Sequence, residues 1–185
     1  MDVYVIRHTP VNVAQGICYG QTDVPLADTF AADAEVFRQT LPDRFRDVYT
    51  SPLQRCRSLA AMFSEQPIVS DQLIEMDFGD WENMAWEEMD QPALFNWMAD
   101  PVTLRTPNGE NLEMLYQRIA HFLDHLPIRE DGPILIVTHA GPIRCIWGAL
   151  LEIPLRNLMK LPVGFGEVFG FHWSEDPAYR RIFQT

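Results

Sequence analysis

Positive charge is scarce in this chain: 14 lysines and arginines face 26 aspartates and glutamates, leaving a formal net charge of -12 over 185 residues. That balance excludes the basic stripe of a nucleic-acid binder and the polybasic patch of a protein held at an anionic membrane. It also repels anionic substrates at long range, so a site for one requires cations gathered locally. Cysteine is sparse too. Cys18, Cys56 and Cys145 stand far apart, with neither the paired spacing of a zinc site nor a redox C-x-x-C, which leaves reduced structural thiols. A basic segment followed by a signal-type apolar core is missing, since Met1 and Asp2 lead straight into a β-like run; a cytoplasmic location is expected. No apolar stretch approaches the ~18 residues of a membrane span. No repeat, low-complexity tract or Gly/Ser-rich linker divides the sequence. With 47% apolar residues the chain can bury one core without staples, so a single domain over residues 1–185 is expected.

Short apolar, β-branched runs occur at residues 3–6, 48–49, 68–69, 134–137 and 168–171. Between them, residues 30–41, 52–63, 86–98, 112–126 and 142–151 carry helical spacing. Strands alternating with helices predict an α/β sandwich with a mainly parallel sheet. Residues 74–109 are dense in aromatics, methionine and acids and leave through Pro101 and Pro107. They suggest an insertion over the sheet, either a lid or a helical pair that completes the core.

Three strands end alike: VYVIRHT in Arg7 and His8, DVYTSPLQR in Arg55, and ILIVTHAG in His139. In an open parallel sheet the residues just past the strand carboxyl ends share one edge, where ligands bind. Two histidines and two arginines can therefore converge. Ser51, Pro52 and Gln54 fit an N-cap, an N1 proline and the N3 partner of a capping box. Arg55 then lies near a helix start, where free N–H groups and the dipole favour an anion. Ala140, Gly141 and Pro142 repeat that logic after His139.

Arginine forks match the oxygens of a transferring phosphoryl group, and a neutral imidazole can attack phosphorus to form a covalent intermediate. Arg7 and Arg55 are the expected clamp, His8 the nucleophile, and His139 a donor to the phosphoryl oxygens. The leaving alkoxide needs a proton. Glu75 closes an apolar stretch beside aromatics, surroundings of the kind in which a carboxyl can serve as proton donor; Asp77, Asp80 and Glu82 compete with it, and spacing alone does not separate them. Each residue has a plainer reading as well: a lone histidine or arginine after a strand is ordinarily structural. His121 and His125 have i, i+4 spacing without a third metal ligand, and with His172 they read as structural. Trp81, Trp86 and Trp97 read as core or lid packing, and Glu87, Glu88 and Asp90 as a solvated face.

Together, Arg7-His8-Thr9, Ser51-Pro52-Leu53 with Arg55, Glu75 within E-M-D-F-G-D-W-E, and Thr138-His139-Ala140-Gly141 resemble the phosphoglycerate mutase-like branch of the histidine phosphatase superfamily. The match runs in order from about residue 3 to residue 150, and the last 35 residues add little to it. The resemblance implies a three-layer α/β/α sandwich, a phosphate pocket of Arg7, His8, Arg55 and His139, and Glu75 as proton donor. It implies neither cofactor nor metal, and a small-molecule phosphate monoester as substrate; a homodimer stays open. GICYGQTDVPL, E-M-D-F-G-D-W-E and P-N-G-E-N-L look most like the alpha-ribazole-5'-phosphate phosphatases of cobalamin nucleotide-loop assembly. By the same resemblance Gly20, Gln21 and Thr22, with Thr9 and Ala140, are substrate-binding candidates, and Glu110 is a supporting carboxylate. Thr9 and Ala140 stand where the family commonly has glycine. A mutase that returns the phosphoryl group to a second acceptor, a broad-specificity phosphatase, and a non-catalytic phosphate-binding module are the alternatives.

Overall fold

The computed structural model describes residues 1–183. Its strands are β1 (Asp2–Arg7), β2 (Asp47–Thr50), β3 (Ile68–Val69), β4 (Ile134–Thr138), β5 (Val168–His172) and β6 (Arg181–Phe183). They form one sheet of order β3-β2-β4-β1-β5-β6. The first four run parallel, and β5 and β6 add an antiparallel edge.

The central strands are apolar at nearly every position because both faces are covered. Val3 and Val5 of β1 and Ile134 and Ile136 of β4 enter one core, and Ile6, Leu135 and Val137 enter the other. Helices α1 (Phe30–Thr40) and α2 (Gln54–Ala60) close the second core with Ala34, Phe37, Leu59 and Ala60. The first core is closed by α4 (Leu112–Asp124), through Leu115, Ile119 and Phe122, and by α5 (Ala140–Leu151), through Ile143 and Ile146. The result is the expected three-layer α/β/α sandwich. Asn111 caps α4 by accepting a bond of 2.9 Å from Met114 N, which fixes where that helix begins.

Residues 74–109 hold one α-helix, α3 (Gln91–Ala99), shorter than the 86–98 periodicity suggests because turns precede Asp90 and Pro92 falls at its start. Trp81, Met89, Leu94 and Trp97 from this segment are buried in the first core, with Trp81 and Trp97 edge to face at 5.7 Å. Two helix starts also differ from expectation. Leu53, not Ser51, is the N-cap of α2, and α5 begins at Ala140, so Pro142 is its third residue. No helix among the described residues is long and apolar enough to cross a membrane.

Candidate active site

Register brings the histidines together. Arg7 pairs with Thr138 across β1 and β4, and Thr50 with Val137 across β2 and β4. The ladders continue one step further, with His8 N donating to Thr138 O at 2.9 Å and Ser51 N donating to Val137 O at 3.1 Å. His8, His139 and Ser51 therefore leave three adjacent parallel strands at one edge. The two imidazole centroids lie 5.1 Å apart, edge to face.

His8 is 2% exposed, and its Nδ1 lies 2.7 Å from Thr9 O. A carbonyl only accepts, so Nδ1 carries the hydrogen and the Nε2 lone pair is left for an electrophile. Burial, then the nearby Arg55 and Arg7 charges, push the pKa down to about 3 against a weaker opposing pull from Thr9 O. The ring is thus neutral, as a nucleophile must be.

Arg55 is fully buried on α2. Its Nη1 donates to Thr22 O at 2.8 Å and its Nη2 to Gly20 O at 2.5 Å, and Tyr19 lies over the guanidinium. Arg7 donates from Nη1 to Val163 O at 2.9 Å and stacks 3.8 Å above Phe165. Arg7 Nε and Arg55 Nε are both buried and have no acceptor among the described residues. An unpaired buried N–H costs ~1–3 kcal/mol, and both arginines line the hollow that His8 faces. Both helix N-termini expected to help are taken by protein carboxylates: Gln54 N donates to Asp23 Oδ1 at 2.7 Å, and Gly141 N to Glu75 Oε2 at 3.2 Å. His139, the expected donor to phosphoryl oxygens, is wholly buried against Cys56, and its Nε2 shares a bond of 2.7 Å with Ser51 Oγ.

A cavity of about 210 Å³ sits at this edge. Arg7, His8, Arg55 and Glu75 form its polar side, and Tyr19, Phe78 and Trp86 its aromatic side. The competing acids are employed elsewhere. Asp77 accepts from Gly79 N at 2.8 Å, Asp80 from Asn108 Nδ2 at 2.8 Å, and Glu82 from Gln21 N and Thr22 N at 2.7 and 2.6 Å. Burial raises the Glu82 pKa, but the bonds from Thr22, Gln21 and Phe78 outweigh it and hold the carboxylate below its usual range. A larger hollow of about 380 Å³ between α2 and β3, lined by Thr50, Gln54, Arg57 and Ser58 among others, contains none of the four polar groups.

Glu110 accepts from Asp77 N at 3.0 Å and from Arg118 Nη2 at 2.9 Å. Arg118 also donates to the carbonyls of Gln72, Ile74 and Glu75, at 2.8, 2.7 and 3.3 Å, and so clamps the segment that carries Glu75. Gly20, Gln21 and Thr22, expected to bind substrate, are not among the residues lining the cavity; their polar groups are held by Arg55, Glu82 and the Glu75 carbonyl, which Gln21 Nε2 reaches at 3.0 Å. A Cβ on Gly20 would lie 2.1 Å from Met76 O, so only glycine fits there. Thr9 faces a separate small cavity with Asp33 and Phe165, and Ala140 opens α5 without lining the main one.

Sequence reasoning missed Arg118, Tyr19, Phe165 and the part taken by Ser51. Phe165 and Val163 belong to the last 35 residues, so that segment supplies the Arg7 side of the site. The thiols are buried and unpaired by disulfides, with burial as the main cause of their raised pKa values, Cys18 up to about 12. His125 Nδ1 lies 2.8 Å from His121 O, and no cluster among the described residues has the makings of a metal site.

Comparison with known proteins agrees with this fold. The solved alpha-ribazole phosphatase of Shigella flexneri superposes with a TM-score of 0.88 at 24% identity, covering 99% of this chain and 95% of that one. Phosphoserine phosphatase 1 of Hydrogenobacter thermophilus is 30% identical over 171 residues, 85% of this chain and 79% of that protein. Adenosylcobalamin/alpha-ribazole phosphatase of Escherichia coli is 27% identical over 177 residues, 90% of this chain and 87% of that protein. The family model that spans residues 3–180 takes in both histidine turns, Arg55, Glu75 and the C-terminal strand that pairs with β1, and by it this chain belongs to the histidine phosphatase superfamily (branch 1).

Proposed function

We propose that this phosphatase hydrolyses a phosphate monoester through a phosphohistidine on His8, and that its substrate is alpha-ribazole-5'-phosphate. In the first step His8 Nε2 attacks phosphorus while the bond to the ester oxygen breaks. The departing oxygen keeps the bonding pair and takes a proton from Glu75. Water then attacks the phosphohistidine, Glu75 accepts its proton, and inorganic phosphate leaves with His8 neutral again. Arg7 and Arg55 stabilise the charge on the equatorial oxygens in both steps. His139 buttresses His8 from behind, oriented by Ser51. The observation that carries the proposal is one cavity lined by two guanidinium groups, a carboxyl and an imidazole whose Nδ1 is committed to Thr9 O.

Every group these steps use is a side chain, so EDTA should leave turnover unchanged while His8→Ala removes it. Labelled phosphate passing to water rather than to added alcohol separates a hydrolase from a mutase. Turnover itself separates either from a binding module. The alpha-ribazole assignment draws support from the E. coli relative and from the sequence stretches named above; the Hydrogenobacter relative favours phosphoserine as a second reading. Comparing kcat/KM across a panel with both esters decides, and equal poor rates on all of them would count against the first.

A further inference from the structure

The catalytic cavity is too small for most alcohols. At about 210 Å³ it falls below the ~300 Å³ at which small-molecule sites begin, so a substrate larger than phosphate and a short carbon stub must extend beyond it. Its polar residues are held from outside the cavity, Arg7 by Phe165 and Val163, Arg55 by residues 20–22 and Glu75 by the start of α5. Phe78 and Trp86 line it directly, packed edge to face at 5.9 Å. Those same two residues line a second hollow of about 360 Å³, completed by Leu94, Trp97, Met98 and Met159. None of the six is charged. Met98 and Met159 stand 60% and 49% exposed at its rim, and a concave apolar patch left open to water marks a binding surface. Methionine side chains adapt to varied shapes.

We propose that this hollow receives the leaving group, and that the enzyme selects monoesters whose alcohol carries an aromatic or bulky apolar body over those whose alcohol is charged. The inference rests on the reading that His8 cleaves an ester in the adjoining cavity. An ammonium or carboxylate placed among these six residues would lose its water and find no partner, whereas a flat ring would stack on Phe78 and Trp86. Selectivity thereby falls on the Trp-rich segment and Met159, away from the groups that hold phosphate.

The test compares two primary alkyl esters of similar intrinsic reactivity, 2-(1-naphthyl)ethyl phosphate and O-phosphoserine, with the full-length wild type, Met98→Glu and Met159→Glu. The wild type should favour the naphthyl ester by at least about tenfold in kcat/KM, and each glutamate should lower that ratio by about tenfold. A wild-type preference for phosphoserine, or ratios within about twofold of wild type in both variants, overturns the inference. Equilibrium dialysis of wild type with 2-(1-naphthyl)ethanol keeps the test independent of variant folding: saturable binding supports the hollow and its absence overturns it. Acid-labile phosphoprotein trapped with phosphoserine, alongside an unfavourable ratio, removes the selectivity and leaves the His8 chemistry standing. No phosphoprotein with either ester removes the chemistry itself.

Discussion

Gly141→Ala displaces the proposed proton donor without replacing it. An alanine Cβ at that position would lie 2.2 Å from Glu75 Oε1, 3.2 Å from Glu75 Cδ and 3.0 Å from Leu115 Cδ2. The backbone of Glu75 is pinned, because its carbonyl accepts from Gln21 at 3.0 Å and from Arg118 at 3.3 Å. The carboxyl must therefore rotate away by roughly 1 Å, with loss of the bond from Gly141 N. A misplacement of that size costs ~10²-fold in rate, at the lower end of the ~10²–10⁴-fold that proton transfer contributes. A primary alkyl phosphate, whose alkoxide must be protonated, should lose ~10²-fold in kcat. An aryl ester such as p-nitrophenyl phosphate, whose phenolate leaves unaided, should lose less than about fivefold. Gly141 is the second residue of α5, so the substitution also removes a helix penalty of up to ~1 kcal/mol, which keeps the thermal midpoint near wild type. Steady-state rates on both esters, with a melting curve as control, provide the assay. Equal losses on the two, or an alkyl rate within about threefold of wild type, would refute the assignment of Glu75.

Three further outcomes are expected. An unfolded imidazole titrates near 6.5 whereas native His8 holds at about 3, so below pH 6.5 the unfolded chain gains a proton that the native one refuses, and stability falls across that window. Between pH 6.5 and 4.5 wild type should lose about 2 kcal/mol more than His8→Asn in urea melts, and matching slopes would show that His8 is not buried neutral. Arg118→Ala leaves Glu110 without its cation, takes the donor from the Gln72 and Ile74 carbonyls, and takes one of two donors from the Glu75 carbonyl. It should cost about 3 kcal/mol, with partial recovery in the double variant that adds Glu110→Gln; a loss under about 0.5 kcal/mol would contradict the clamp. Gly20→Ala drives a methyl onto the Met76 carbonyl at 2.1 Å and should destabilise by about 1–3 kcal/mol, with a lower midpoint in calorimetry; a midpoint equal to wild type would mean that the residue 20–22 loop is free to move.

The sheet was legible because its strands announce themselves twice, by β-branched apolar runs and by the turn residues that end them. Residues 3–6 and 134–137 fall inside β1 and β4, and their shared RH and TH endings foretold the meeting of His8 and His139. β6 escaped notice, since Arg181, Ile182 and Phe183 are too few to show alternation. Capping differs from expectation because tertiary structure offers a closer partner: Ser51 Oγ lies 2.7 Å from His139 Nε2, 88 residues away, and accepts from the helix start only at 3.4 Å, from Leu53 N. Which of Glu75, Asp77, Asp80 and Glu82 faces the cavity depends on the distant Gln21 and Arg118 that hold the Glu75 backbone, and the spacing of the acidic segment carries no sign of them. Arg118 sits in mid-helix with nothing in its neighbourhood to say that it points at residues 72–75. Tyr19 and Phe165 lie far apart in sequence and are joined only by the arginines they cover.

The chemistry turns on whether phosphorus is ever bonded to His8. Rapid acid-free quenching of wild type during its first turnover of a labelled monoester, followed by digestion and mass spectrometry, answers that directly. Acid-labile, base-stable phosphate on the peptide that contains His8, decaying as inorganic phosphate appears, is the expected result. Label on another residue, or turnover by His8→Ala at a rate near that of wild type, would contradict it.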